Sequence, residues 1–103
     1  MRLEDVDIIE GNIPADEVCL HEALQRAINA GDAWRFQGGY GRAMMAAIEA
    51  GSCLLGKQSA QDFYGNHIPC RSEVAPGTKG SREYVAAIRG EAWAARMESL
   101  SIE

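Results

Sequence analysis

The spacing of apolar residues between Asn12 and Gly31 constrains the fold of this chain more than any other feature. Val18, Leu24 and Ile28 recur close to the helical period, so their side chains fall near one face of a helix. A proline and two acidic residues near the start suit a helix N-terminus, and the closing glycine can adopt the left-handed conformation that ends helices. The segment therefore predicts an amphipathic helix that must bury one face against other elements.

Similar signals predict two further helices. Asp32 can cap a second helix that ends at Gly51, although three glycines at 38, 39 and 41 interrupt it. Each glycine costs a helix about 1 kcal/mol relative to alanine, so we expect a break there. Ser81 can cap a third helix that runs to about Ser99 with a regular apolar stripe.

The stretch from 52 to 80 lacks a clear period and predicts a long ordered loop. Ser59–Tyr64 could form one or two helical turns, and residues 52–55 and 67–71 could be short extended pieces. Ala75–Thr78 places proline second and glycine third, which favours a type II turn.

The fold class that follows is all-α or nearly so, with three main helices, a glycine break and a long ordered loop. The alternative is an α+β fold, because Val6 and Ile8 alternate with acidic residues in a pattern typical of a strand. In that alternative a small sheet combines residues 5–9, 52–56 and 67–71.

Size and composition predict one small domain spanning 1–103. A chain of 103 residues that is 47% hydrophobic can form a real core, since folding buries roughly two thirds of its unfolded surface. No apolar run approaches the about 20 residues of a membrane span, and we expect no secretory signal. Three cysteines without paired spacing indicate a reducing compartment, so we expect a cytoplasmic protein.

Negative charge concentrates at the start of the sequence. Residues 1–32 contain eight acidic residues against two basic ones, within a net charge of -5. Such a surface repels phosphates, so we expect no direct nucleic-acid binding and instead a protein partner with a basic surface. The predicted partner-binding acids are Glu4, Asp5, Asp7, Glu10, Asp16 and Glu17.

Arginines recur every seven residues along the third predicted helix, at Arg82, Arg89 and Arg96. Seven residues are nearly two helical turns, so the three guanidinium groups lie along one face. We include them among the predicted partner-binding residues, as a stripe that could dock an acidic surface. A solvated face of mixed charge is the simpler interpretation.

Two glycine-rich turns invite an anion-binding interpretation. Gly39 and Gly41 precede a helix, and Lys79 and Ser81 precede another, where backbone amides can approach an anion. Neither turn has the spacing of a known phosphate loop. Ordinary turn chemistry explains both equally well.

Histidines and cysteines are the remaining candidates for chemistry. Cys19 and His21 are two residues apart on a predicted helix and diverge, so they cannot easily bind one metal ion. His67 and Cys70 are better spaced but stand alone, and a nucleophilic cysteine needs a base within reach. We therefore predict no catalytic residue, no metal and no cofactor, and expect a protein that is not an enzyme.

Aromatic residues form a few clusters, each of which fits either a core or a binding surface. Trp34, Phe36 and Tyr40 lie beside the glycine break, and Phe63 and Tyr64 form a pair in the long loop. Aromatic side chains of this kind often dominate binding surfaces, but they also fill cores.

The sequences GYGRAMMAAIEAG and DFYGNHIPCRSEVAPGTKGSREYV, within Gly39–Val85, resemble small uncharacterised accessory proteins of bacteriophages and prophages. This resemblance implies an anti-CRISPR-like inhibitor that docks its acidic surface on a host protein handling nucleic acid. A small ligand-binding or enzymatic domain that uses the glycine-rich turns and His67 is the alternative. A self-associating structural protein is the third hypothesis.

Overall fold

The computed structural model describes residues 2–36 and 39–100. It contains, in chain order, α1 (Leu3–Ile9), α2 (Glu17–Ala30), a 3₁₀ turn (Asp32–Arg35), α3 (Tyr40–Glu49), β1 (Ala60–Gln61), β2 (His67–Ile68), α4 (Arg82–Arg89) and α5 (Glu91–Glu98). The prediction of a mostly helical fold is confirmed, with five α-helices in the described part rather than three. None of the described helices has both the length and the apolar character needed to cross a membrane.

Helix α2 is the predicted first helix, but it begins later than expected. The Asp16 carboxylate accepts a hydrogen bond from the Cys19 backbone N–H at 2.8 Å, so the helix starts at Glu17 rather than near the proline. Gly31 ends it with φ at 83°, as predicted. Capping by a side chain thus determines where this helix starts.

The predicted strand at residues 5–9 is wrong, because this segment belongs to helix α1. Asp5 is only 1% exposed, and its carboxylate accepts two hydrogen bonds within 3.0 Å from Arg26 of α2, one from Nε and one from Nη2. This bidentate pair holds α1 against α2. The contact between Asp5 and Arg26, which are 21 residues apart, therefore outweighs the strand preference that the alternating pattern indicated.

The second and third predicted helices are each divided. The 3₁₀ turn ends before α3 begins, with Gly39 preceding its first residue; Gly38 of the predicted break lies outside the described residues. Gly90 has φ 97° and ψ 161°, which is outside helical space, and so separates α4 from α5. Arg82 of α4 bonds both Glu91 and Glu98 of α5, which joins the two helices across this break.

The long loop contains a two-stranded antiparallel sheet in which Ala60 pairs with Ile68 and Gln61 with His67. The helical turns predicted at Ser59–Tyr64 and the strand at 52–56 are therefore wrong, while the extended piece at 67–71 is confirmed only at its first two residues. The turn at residues 75–78 is confirmed by a hydrogen bond of 3.1 Å across it and by positive φ at its glycine.

Buried apolar residues form two clusters. The larger joins α2, the 3₁₀ turn, α3 and the loop, and the smaller joins α4 and α5 to Leu54. Gln25 of α2 lies between them, and its amide bonds both the N–H and the C=O of Leu54, at 2.7 and 3.0 Å. Close packing continues at Gly80, where a Cβ would lie 2.5 Å from the Leu55 side chain. The segment 52–55 is thus a buried connector rather than a strand.

Candidate functional site: an aromatic cleft

A cleft of about 470 Å³ opens between the 3₁₀ turn, α3 and the β1–β2 hairpin. We call it the aromatic cleft; its lining residues are Trp34, Phe36, Gly41, Arg42, Met45, Asp62, Phe63, Tyr64 and Ile68. The volume falls within the roughly 300–1,000 Å³ typical of ligand pockets. The residues around it are mainly apolar, with one guanidinium and one carboxylate.

The cleft has a buried floor and an exposed rim. Trp34 and Ile68 are 4% and 9% exposed and belong to the larger core cluster. Phe36, Phe63 and Tyr64 are 44%, 49% and 83% exposed. Since contiguous exposed apolar surface often marks a binding site, this rim is the strongest functional feature among the described residues.

The hairpin turn that carries two rim aromatics is held by Asp62. One carboxylate oxygen accepts hydrogen bonds from the backbone N–H groups of Tyr64 and Asn66 at 2.9 and 2.8 Å, and the other accepts from the Asn66 side chain at 3.2 Å. These bonds, first the one from the Asn66 backbone, lower the pKa of Asp62. Phe63 and Tyr64 pack edge to face with ring centroids 5.2 Å apart. This part of the rim is therefore an ordered turn in which the Asp62 carboxylate accepts hydrogen bonds from the turn itself.

On the opposite wall, α3 presents one cation. Phe36 packs edge to face on Tyr40 at 5.7 Å, and the Tyr40 hydroxyl donates to Glu10, which raises the pKa of Tyr40 to about 12. Arg42 is exposed and makes neither a hydrogen bond nor an ion pair with any described residue. Its guanidinium is thus the available charge in the cleft.

Three of the predicted partner-binding acids have internal roles. Asp5 is buried in its pair with Arg26 and is not accessible to a partner, which corrects that prediction. Asp16 caps α2, which lowers its pKa through the Cys19 backbone bond. Glu17 bonds Arg89 of α4 at 2.9 Å.

The other three acids lie on α1 and the turn after it, and each contacts a polar neighbour. Glu4 pairs with Arg2 at 2.8 Å, Asp7 accepts a long hydrogen bond from Asn12 at 3.4 Å, and Glu10 accepts from Tyr40. Glu4 is exposed, with 63% of its side chain accessible. The acidic set is therefore divided among several contacts and does not form one unoccupied face.

The three arginines of the predicted stripe also make contacts within the chain. Arg82 bonds Glu91 and Glu98, Arg96 bonds Glu22 of α2 at 2.7 Å, and Arg89 adds a contact 3.8 Å above the Trp93 ring. These pairs connect α4 and α5 to each other and to α2. A docking role for Arg82, Arg89 and Arg96 stays a prediction, and their pairs within the chain are a second role for the same guanidinium groups.

The predicted anion-binding residues separate into two groups. The Ser81 hydroxyl is 3% exposed and accepts hydrogen bonds from Gly77 N–H and Tyr84 N–H, so it is a helix cap rather than an open anion ligand. Lys79 beside it is exposed. Gly41 lines the aromatic cleft and Gly39 precedes it at the start of α3. The first glycine-rich turn thus borders the candidate site, and the second does not.

His67 and the thiols do not form a reactive group. The exposed His67 ring bonds Glu73 through Nε2 at 3.1 Å, whereas the Cys70 thiol contacts the Ser72 hydroxyl at 3.1 Å. Burial raises the pKa of Cys53 to about 12, which disfavours its thiolate. Across residues 2–36 and 39–100, no three His, Cys, Asp or Glu side chains are grouped to hold a metal ion.

Sequence reasoning noted Phe63 and Tyr64 but did not assign them to a site. A local signal was present, because Asp62 is followed by Gly65 and Asn66, a composition that favours a turn stabilised by the aspartate side chain. A turn of this kind between extended pieces would have placed both aromatics at an exposed tip. Arg42 directly follows Gly41 of the first glycine-rich turn, and no local pattern placed it beside the two aromatics.

No protein-family model, curated protein or solved structure matches this chain.

Proposed function

We propose that this protein is a non-enzymatic binding protein that holds a segment of a protein partner in the aromatic cleft. The observation that carries the proposal is the exposed aromatic rim of Phe36, Phe63 and Tyr64 above a buried apolar floor. Burial of such side chains by a partner removes apolar surface from water, which is the main favourable term in association.

The composition of the cleft fits a protein contact. Tryptophan, tyrosine and arginine are the residues that most often dominate binding energy, and the cleft brings together Trp34, Tyr64 and Arg42. The order of the Asp62 turn matters as well, because a surface that is already arranged loses less entropy on binding. The contact surface proposed here therefore differs from the acidic end predicted from sequence.

The sequence resemblance gives this binding a biological role that stays a prediction. A small bacteriophage protein that occupies a functional site of a host component would act as an inhibitor without chemistry of its own. The exposed Glu4 on α1 could still steer association with a basic partner. Steering of that kind affects the rate of encounter more than the affinity.

The proposal is tested by selecting random peptides displayed on yeast against the full-length protein. Enriched peptides, synthesised with a fluorescent label, should bind Phe63→Ala and Tyr64→Ala at least about tenfold more weakly than the unsubstituted protein. Leu3→Ala is the matched control, because Leu3 is 84% exposed and does not line the cleft. Thermal melting of each variant verifies that it is folded.

Two outcomes would contradict the proposal. In one, Leu3→Ala weakens binding as much as the rim substitutions do. In the other, the enriched peptides bind Phe63→Ala and Tyr64→Ala as tightly as the unsubstituted protein. Either result would mean that the aromatic rim is ordinary surface.

A small-molecule ligand in the same cleft is the second candidate, favoured by the presence of Gly41 and Arg42 in the lining. An aromatic carboxylate that binds only the folded protein would raise its melting temperature. Phe63→Ala should remove that increase. A ligand library that produces no shift dependent on Phe63 would eliminate this candidate.

A further inference from the structure

We infer that the partner segment held in the aromatic cleft carries a carboxylate beside its apolar anchor, and that Arg42 binds this carboxylate. The inference rests on the proposed function, since it concerns the occupant of the same cleft. It also reverses the sign of the partner expected from sequence, because the segment at the contact would be acidic rather than basic.

The charges that line the cleft support an acidic occupant. Arg42 has no partner among the described residues, so its donors are available. Asp62, the other charged residue of the lining, has both oxygens occupied by the amide groups of Tyr64 and Asn66. An incoming group therefore meets free donors on one wall, and on the other a carboxylate that already accepts three hydrogen bonds from its own turn.

The position of Arg42 strengthens this complementarity. It lies in the first turn of α3, where the helix dipole contributes partial positive charge of the same sign. A guanidinium binds a carboxylate through two parallel hydrogen bonds, a geometry that a lysine ammonium cannot reproduce. Apolar walls exclude water when the cleft is filled, which makes the pair stronger than on an open surface.

A cationic occupant is the main competitor, because aromatic rims can also hold ammonium groups. Such an occupant would be attracted by the negative charge of Asp62 but would also meet the unpaired guanidinium of Arg42, and three hydrogen bonds already hold the Asp62 oxygens toward their own turn. Repulsion between like charges is costly in a contact that excludes water. The geometry thus favours the acidic segment, and the experiment separates the two.

The test compares the displayed peptide library on three forms of the full-length protein: unsubstituted, Arg42→Glu and Lys79→Glu. Lys79 is the matched control, since it is exposed, makes no ion pair with a described residue and lies outside the cleft lining. Both substitutions change the net charge by the same amount. Binding of synthetic peptides is then measured by fluorescence anisotropy at physiological ionic strength.

On the unsubstituted protein, enriched peptides should combine a large apolar residue with a nearby Asp or Glu. Arg42→Glu should weaken their binding by about ten- to a hundredfold, and replacing the peptide carboxylate by lysine should restore it. Lys79→Glu should change binding by less than about threefold, because an exposed distant charge is screened by salt.

The inference is overturned if the enriched peptides are basic, or if Arg42→Glu and Lys79→Glu weaken acidic peptides equally. Peptides that require Phe63 but ignore the charge at Arg42 would remove the inference and leave the proposed function standing. If the selected peptides do not depend on Phe63 at all, both the proposed function and this inference are wrong.

Discussion

Replacing Gln25 by methionine should destabilise the protein severely, although the side chain keeps nearly its size. Gln25 is 0% exposed, and its amide forms the only side-chain hydrogen bonds to the Leu54 backbone in the described part of the chain, at 2.7 Å to N–H and 3.0 Å to C=O. Methionine leaves both of these buried groups without a partner. Neighbouring Asn29 loses one donor but keeps the one from Arg71.

The magnitude follows from the two orphaned backbone groups. Each costs about 1–3 kcal/mol, so the free energy of unfolding should fall by about 2–6 kcal/mol. Similar side-chain volumes limit any cavity term. For a small domain with a total stability of about 5–15 kcal/mol, this loss is a large fraction.

Urea unfolding followed by tryptophan fluorescence measures the change, with the free energy extrapolated linearly to water. Gln58→Met is the control, because Gln58 is exposed and its substitution should change stability by less than about 0.5 kcal/mol. Hydrogen exchange at the Leu54 amide should accelerate in Gln25→Met alone. A loss below about 1 kcal/mol would refute the reasoning, since the connector would then not depend on this side chain.

Three further predictions concern packing, thiol reactivity and acid. Gly80→Ala should lower the free energy of unfolding by about 2–5 kcal/mol, because the residue has positive φ and its new Cβ would lie 2.5 Å from the Leu55 side chain. Gly65→Ala is the control: it also has positive φ, but its Cβ would meet open space, so the loss should be about 1–2 kcal/mol. Equal losses in urea unfolding would contradict the packing argument. A thiol reagent at pH 8 should modify exposed Cys19 in the folded protein and Cys53 only after unfolding, as mass spectrometry would record, because burial raises the pKa of Cys53 to about 12. Hydrogen bonds lower the pKa of Asp62 below 3.8, so the stability that this carboxylate contributes should persist above pH 3.8 and be lost as pH falls through the lowered pKa. A carboxyl NMR titration of Asp62 with a midpoint at or above 3.8 would be inconsistent with the turn geometry.

Local signals predicted those elements whose ends are determined by their own residues. Gly31 ends α2, Ser81 caps α4, and the larger core cluster includes Leu24 and Ile28 of the apolar face expected on α2. Each of these features depends on backbone conformation or on a hydrogen bond within one turn. Such information is present in a window of a few residues.

Elements that depend on distant contacts could not be predicted in the same way. Helix α1 is held by the pair between Asp5 and Arg26, and the buried amides of Gln25 and Asn29 bond the backbone of Leu54 and Leu100. A polar residue on a helix face is normally expected in solvent, so the sequence pattern pointed away from these positions. Only the assembled fold supplies their partners.

The candidate site follows the same division. Trp34 is buried, one of the two roles that its composition allowed, and the composition of the Asp62 turn was visible in the sequence. Whether Phe63 and Tyr64 face the core or solvent depends on how the hairpin packs against the 3₁₀ turn and α3, which no local pattern specifies. The cleft therefore required the tertiary structure.

The segregation of charge along the sequence has an internal explanation. Glu17 and Glu22, in the acidic part of the chain, bond Arg89 and Arg96 near its other end, the second pair being 74 residues apart. Exposed pairs of this kind add little net stability, but they favour one arrangement of α4 and α5 on α2 over others. Charge imbalance in a sequence is thus a poor guide to a binding face when folding matches the opposite charges. The charge that indicates a partner is the one that folding leaves unmatched beside apolar surface, and in the described part of this chain Arg42 meets that condition.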